Sequence, residues 1–188
     1  MTITGSLDAS GRELALTRTV PVPARSLWEH LSRSSLLATW YGTFTGDPAT
    51  GTVQVTMTAE PGQAVAAEYT IHACDPEHVL TVSSSMGEGT WRLSLELEPA
   101  TVSDADADAD ADADPDAMSD AVSDGRRATR IVLRHHDVPR EMLAYIGPGW
   151  EWYLDRLTGV VTGGDIPGMD VWDSEYMPLS ESYAALAE

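Results

Sequence analysis

Apolar and polar residues alternate with period two over several stretches of this chain, and two windows switch to the three-and-four spacing of a helix. WRLSLELEP (91–99) sets Trp91, Leu93, Leu95 and Leu97 on one face and Arg92, Ser94, Glu96 and Glu98 on the other. ATRIVLRHH (128–136) places Ile131, Leu133 and His135 opposite Arg130, Arg134 and His136. One dry face and one wet face predict an antiparallel sheet covered on a single side. ELALTRTV (13–20), GTVQVTMTA (51–59), AVAAEYTIHAC (64–74) and HVLTVSSS (78–85) supply further strands. Pro61-Gly62, Asp75-Pro76 and Gly87-Glu88-Gly89 mark the turns between them.

The helical windows lie on either side of this run. In PARSLWEHLSRSSLLATWY (23–41), Leu27, Trp28 and Leu31, then Leu36, Leu37 and Trp40, suit two short helices. Pro23 sits near the first helical position, where its missing N–H costs nothing. GPGWEWYLDRLTGVV (147–161) carries an apolar stripe through Trp150, Tyr153 or Leu154, Leu157 and Val161, and Gly163-Gly164 stop it. Glu151 and Asp155 fall toward its positive N-terminal end. The order of elements predicts an α+β helix-grip fold, in which a curved antiparallel sheet wraps a long C-terminal helix. A sheet gripping a helix seldom fills its interior, so a cavity between the two is expected.

Composition modifies this picture at one place. Thirty acidic residues oppose eleven basic ones, all arginine, for a net charge of -19. Nine of the aspartates fall in DADADADADADPDAMSDAVSD (104–124), which contains no basic residue. Alternation alone would make this a strand, but Ala and Asp are poor strand formers and like charges on one face repel. A disordered, solvated loop (about 100–127) joining strands 91–99 and 128–136 is the expected state. Calcium-loop glycines and a bidentate glutamate are missing from it.

Such a charge repels phosphate backbones and anionic membranes, so no nucleic-acid or membrane partner is expected. No apolar run approaches the ~20 residues that cross a bilayer. MTITGSLDASGREL lacks a basic and an apolar signal region, and the single cysteine, Cys74, permits no intramolecular disulfide. A cytoplasmic location follows, with Cys74 expected as a small buried residue. The tail 164–188 reads as too polar for a core element, although Trp172, Tyr176 and Met177 could anchor it. Residues 1–12 read as a second tail, leaving 13–163 as the single domain.

The opening ELALTRTVPVPARSLWEHLSRSSLLATWY resembles the SRPBCC (START-like, Bet v-like) superfamily, and within it the group named for the activator of heat-shock protein 90 ATPase. Leu27-Trp28 on the first helix and the Trp40-Tyr41 pair carry this likeness. YTIHACDPEHVLTVSS (69–84) is similar to the group's strand, Asp-Pro, strand hairpin, and VPREMLAYIGPGWEWYLDRLTGVV (138–161) to its closing helix, with Gly149-Trp150 and Leu154 and Leu157 as landmarks. The resemblance spans roughly 13–163. It implies a helix-grip domain, and the group's name implies a chaperone-associated partner. Neither the Asp-Ala run nor the tail belongs to it.

Motifs for a serine nucleophile elbow, a zincin helix, a P-loop or a dinucleotide fold are absent, so no catalytic residue, metal or cofactor is assigned. His135 and His136 point to opposite faces of one strand and are poorly placed to share a metal, with His135 inward. Glu68 and His72 on one solvent face form at most an inert polar pair. Trp28, Trp40, Tyr41, Tyr69, Trp91, Tyr145, Trp150 and Tyr153 occupy elements that would wall the cavity, with one phenylalanine in the whole chain. Rings with polar tips suit a pocket that holds a ligand and fixes its polar groups. The expected ligand-binding set is Trp40, Tyr41, Tyr69, Trp91, His135, Trp150, Tyr153 and Leu157. The first expectation is a non-enzymatic domain, monomer or homodimer, that binds a small hydrophobic or amphipathic molecule. A chaperone-associated protein comes second, and a cyclase- or hydrolase-type enzyme third.

Overall fold

The computed structural model describes residues 2–62, 65–86, 89–101 and 127–187. Eight strands form one antiparallel sheet: β1 (Gly5–Leu7), β2 (Leu14–Val20), β3 (Gly42–Thr45), β4 (Thr52–Met57), β5 (Ala66–Asp75), β6 (Val79–Met86), β7 (Gly89–Thr101) and β8 (Arg127–His136). Their order across the sheet is β1-β2-β8-β7-β6-β5-β4-β3. Helices α1 (Ala24–Ser32) and α2 (Ser34–Leu37) follow β2, and α3 (Leu143–Thr162) and α4 (Leu179–Ala185) follow the sheet. This is the α+β helix-grip arrangement that the order of elements predicts.

The period-two faces fall as the alternation requires. Leu93, Leu95 and Leu97 on β7 and Ile131 and Leu133 on β8 are buried in one core with Leu14 and Leu16 of β2. On the outer face Arg134 bridges Glu13 (2.8 Å) and Glu96 (2.9 Å), and Arg130 meets Glu98 at 3.0 Å. Such half-exposed pairs contribute ~0–1 kcal/mol each and chiefly hold register. β7 and β8 pair directly from Arg92 opposite His136 to Thr101 opposite Arg127, so the strands flanking the acidic run are neighbours. The acidic run itself, and Gly87-Glu88 of the predicted turn, lie outside the described residues.

Several elements differ from the sequence expectation. β1 and β3 have three and four residues, too few for a periodicity to register, and both lie at sheet edges. Helix α3 begins at Leu143, one turn before Gly147, so Gly147-Pro148-Gly149 is helix interior rather than a helix start. Pro148 there removes one N–H from the helical ladder. Gly147 is required for a different reason: a Cβ at that position would collide with the ring of Tyr183. At the other end Gly163 takes the left-handed conformation (φ 73°), and the Gly164 N–H donates to the Gly159 carbonyl at 3.0 Å, as the sequence predicts for a glycine stop.

The tail enters the core. Tyr176, Leu179 and Tyr183 are buried, because the two tyrosines sink their rings while donating their hydroxyls to carboxylates of α3. Cys74 is exposed rather than buried. It lies near the turn of the β5–β6 hairpin, past the register shift between Ile71 and Ala73. Among the described residues no helix is long and apolar enough to cross a membrane.

Candidate functional site

The register of the sheet brings the site residues into rows. Val53 on β4 lies opposite Tyr69 on β5, Tyr69 opposite Ser84 on β6, and Ser84 opposite Trp91 on β7. A parallel row runs Ile71, Val82, Leu93, His135 and Leu14. Tyr69, Ser84, Trp91 and Leu93 of these rows face α3, whose residues Ile146, Gly149, Trp150 and Tyr153 form the roof. Between sheet and roof lies a cavity of about 500 Å³. It opens between the β4–β5 connection (Glu60, Pro61, Gly62, Val65) and the start of α3 (Met142, Tyr145), with Met169 and Trp172 of the tail at one side. Val65, Met142 and Tyr145 are exposed, Tyr145 to 73%.

The walls are aromatic and mutually packed. Tyr41 and Tyr153 have ring centroids 5.0 Å apart, Trp150 and Tyr153 5.8 Å, and Trp91 and Trp150 6.4 Å. The polar tips of Tyr41, Tyr69, Tyr153 and Trp150 have partners. The Tyr41 and Tyr69 hydroxyls share a hydrogen bond of 2.9 Å, and Tyr153 donates to a Glu60 carboxylate oxygen at 2.8 Å. Burial pushes the Tyr41 phenol well up, with Tyr69 adding to the shift. Burial and then Glu60 push Tyr153 up as well. These rings therefore present neutral hydroxyls to the cavity. Trp150 donates its indole N–H to Nδ1 of His135 at 3.1 Å, which requires a neutral imidazole. Burial, with a smaller effect of His136, pushes His135 down to about 4. Ser84, at 4% exposure, has a buried hydroxyl with no hydrogen-bond partner among the described residues.

Of the eight residues expected from the sequence, Tyr41, Tyr69, Trp91, Trp150 and Tyr153 line the large cavity. Trp40 lines a smaller space of about 140 Å³ together with Trp28 and Phe44, separated from the first by Tyr41, Tyr69 and Trp150. His135 lines neither: it stands behind Trp91 and Trp150, with centroids 4.8 and 6.0 Å away, and acts on the cavity by orienting Trp150. Leu157 also lines neither space and is fully buried in the core, two turns along α3 from Trp150. The sequence reading missed Ser84 and Glu60. Ser84 carried a signal, since extending the inward positions Leu80 and Val82 by two reaches it. Glu60 precedes a turn and carried none.

A second polar cluster lies on the opposite side of α3. Arg18 of β2 meets Glu151 at 2.5 Å and Asp155 at 2.9 Å. Glu151 is fully buried, and it also accepts from the Thr4 amide (2.7 Å) and the Tyr183 hydroxyl (2.5 Å). Tyr176 donates to Asp155 at 3.0 Å. Burial pushes the Glu151 carboxyl up, but the Tyr183 and Thr4 hydrogen bonds and the Arg18 charge outweigh it and hold the group below its ordinary value. The cluster ties the β1 region and the tail to α3, and every described group in it is paired. Among the described residues no set of three His, Cys, Asp or Glu side chains is placed to hold a metal ion.

A curved antiparallel sheet closed over a long helix with an aromatic cavity between them is the helix-grip fold of the SRPBCC superfamily. Within it the chain belongs to the family described as activator of Hsp90 ATPase homolog 1-like proteins, whose model matches residues 21–162. Solved structures with the same fold include CalU16 from Micromonospora echinospora (19% identity, TM-score 0.65, 100% of this chain and 96% of that one). A protein from Bordetella parapertussis is similar at 19% identity and TM-score 0.64, covering 96% and 92%. DynU16, a protein of the dynemicin biosynthetic locus, matches at 16% identity and TM-score 0.57, over 81% of this chain and 48% of that one. Among curated proteins none matches the chain.

Proposed function

We infer that this protein is a binding domain that holds a small apolar or amphipathic molecule in the cavity between sheet and α3. The observation that carries the reading is the cavity of about 500 Å³, the size of a drug-like ligand site, whose walls include Trp91, Trp150 and the tyrosines Tyr41, Tyr69 and Tyr153. Trp91 and Trp150 both line it, so a bound molecule must change indole emission. A panel of a fatty acid, a steroid and a polycyclic aromatic ketone, followed by tryptophan fluorescence and thermal shift, tests it. Binding of at least one class with a raised Tm supports the reading; no response from any of them overturns it. Similarity to a protein of a biosynthetic locus agrees with a small-molecule role.

The family match supports a second reading, an interaction with an ATP-driven chaperone. Fold-level likeness does not carry function by itself. Co-purification with the chaperone of the same cell and a change in its ATPase rate would support this reading, and the absence of both would dismiss it.

A further inference from the structure

We propose that the cavity takes a planar ring system edge-on, with a ring-borne oxygen, carbonyl or hydroxyl, directed at the Ser84 hydroxyl. This rests on the cavity reading above and specifies its ligand class.

The argument starts from the row Tyr69, Ser84, Trp91. A residue with one side-chain heavy atom beyond Cβ stands between two large aromatic residues on the flanking strands. Strands β5 and β7 are two strand spacings apart, about 9–10 Å. A single ring plane with van der Waals contact on both sides needs about 7–8 Å. The two walls do not collapse onto each other, because each is held elsewhere. Trp91 packs against His135 and Trp150, and Tyr69 is tied through its hydroxyl to Tyr41. What remains over Ser84 is a slot between Tyr69 and Trp91, with Ser84 at its floor and α3 as its roof.

The floor is the second observation. Ser84 lines the cavity at 4% exposure and its Oγ has no partner among the described residues, whereas the neighbouring buried hydroxyls are paired, Thr81 with Ser94 and Thr129 with the Val22 carbonyl. An unpaired buried hydroxyl is costly. An alanine at this position would keep the slot and remove that cost. The Oγ is enclosed in its present rotamer, and a turn about χ1 brings it to the cavity side, where a ligand oxygen gains a hydrogen bond that a bare hydrocarbon of the same shape does not.

Three tricyclic probes of nearly the same shape separate the outcomes: fluorene, 9-fluorenone and 9-hydroxyfluorene. Their dissociation constants are measured by tryptophan quenching for the native chain and for Ser84→Ala. The expected result is that at least one oxygenated probe binds the native chain about tenfold more tightly than fluorene. Ser84→Ala erases that ratio while leaving fluorene affinity unchanged, and its ligand-free Tm is equal to or above the native one. Equal affinity for all three probes, or a ratio that survives in Ser84→Ala, overturns this proposal and leaves the cavity reading standing. A ligand-free Tm that falls in Ser84→Ala also overturns it, since the hydroxyl then has a structural partner. Failure of all three probes to bind overturns the proposal. It leaves the broader cavity reading to the fatty-acid and steroid arms described above.

Discussion

Trp150 and Glu151 are consecutive residues of α3, yet they face regions built on opposite rules. Trp150 looks into a space of about 500 Å³ where the buried Ser84 hydroxyl has no partner among the described residues. Glu151 looks toward β1, β2 and α4, where it is fully buried and meets Arg18, Thr4 and Tyr183. A buried charge is tolerated only when every lone pair is answered. An open cavity is tolerated because its walls are held by packing and hydrogen bonds outside it. The helix thus separates a side optimised for the fold from a side left incomplete. A ligand can complete only the second.

The sharpest test of this contrast is removal of Arg18, the one cation of the closed cluster among the described residues. Arg18→Ala leaves Glu151 buried without its charge partner and is expected to cost ~3–5 kcal/mol in urea unfolding. A loss within ~1 kcal/mol, the range of an exposed pair, would break the comparison.

Acid should act on both sides of the helix, in successive ranges. An unfolded histidine titrates near ~6.5, whereas His135 in the fold protonates only near 4. The unfolded chain therefore binds the extra proton between these values. The contribution of neutral His135 is complete above pH ~6.5 and falls away by roughly 3 kcal/mol as the pH approaches 4. The depressed Glu151 carboxyl acts in the same sense at lower pH. Its contribution is complete above the ordinary carboxylate range and is lost as pH falls through its own depressed value. His135→Gln, which keeps an acceptor for the Trp150 indole, should flatten the stability profile between pH ~6.5 and ~4 and leave the loss below it. An unchanged profile would show that His135 is not the titrating group.

One substitution made on both sides gives the finest comparison. Tyr183→Phe removes a hydrogen bond to a buried carboxylate and should cost ~1.5–3 kcal/mol. Tyr153→Phe removes the bond to Glu60, which is exposed and regains water, and should cost no more than ~1 kcal/mol. Equal losses in chemical denaturation would mean that the two regions are not built differently.

The sheet and its dry face were legible because the pattern of Trp91, Leu93, Leu95 and Leu97 depends only on local geometry. The same holds for Ile131, Leu133 and His135, and for the glycine that ends α3. Much of the aromatic wall was legible too, since Tyr41, Tyr69, Trp91, Trp150 and Tyr153 sit at inward positions of recognisable elements. Trp40, His135 and Leu157 shared those inward positions without reaching the large cavity, because facing inward does not say which residue stands in front.

What the amino-acid order determined by itself was each element's period and the face it would bury, consequences of backbone geometry within a few residues. What the tertiary structure decided was which buried polar groups meet. Glu151 read as a residue favoured by the helix dipole. It became the anchor of the closed cluster only when β2 carried Arg18 to it and the tail carried Tyr183. Ser84 was one residue of the strand window 78–85, and it came to line the cavity floor only when the register set Tyr69 and Trp91 on either side. In both cases the partners are far apart along the chain, and the pairing depends on register and packing that no local pattern encodes.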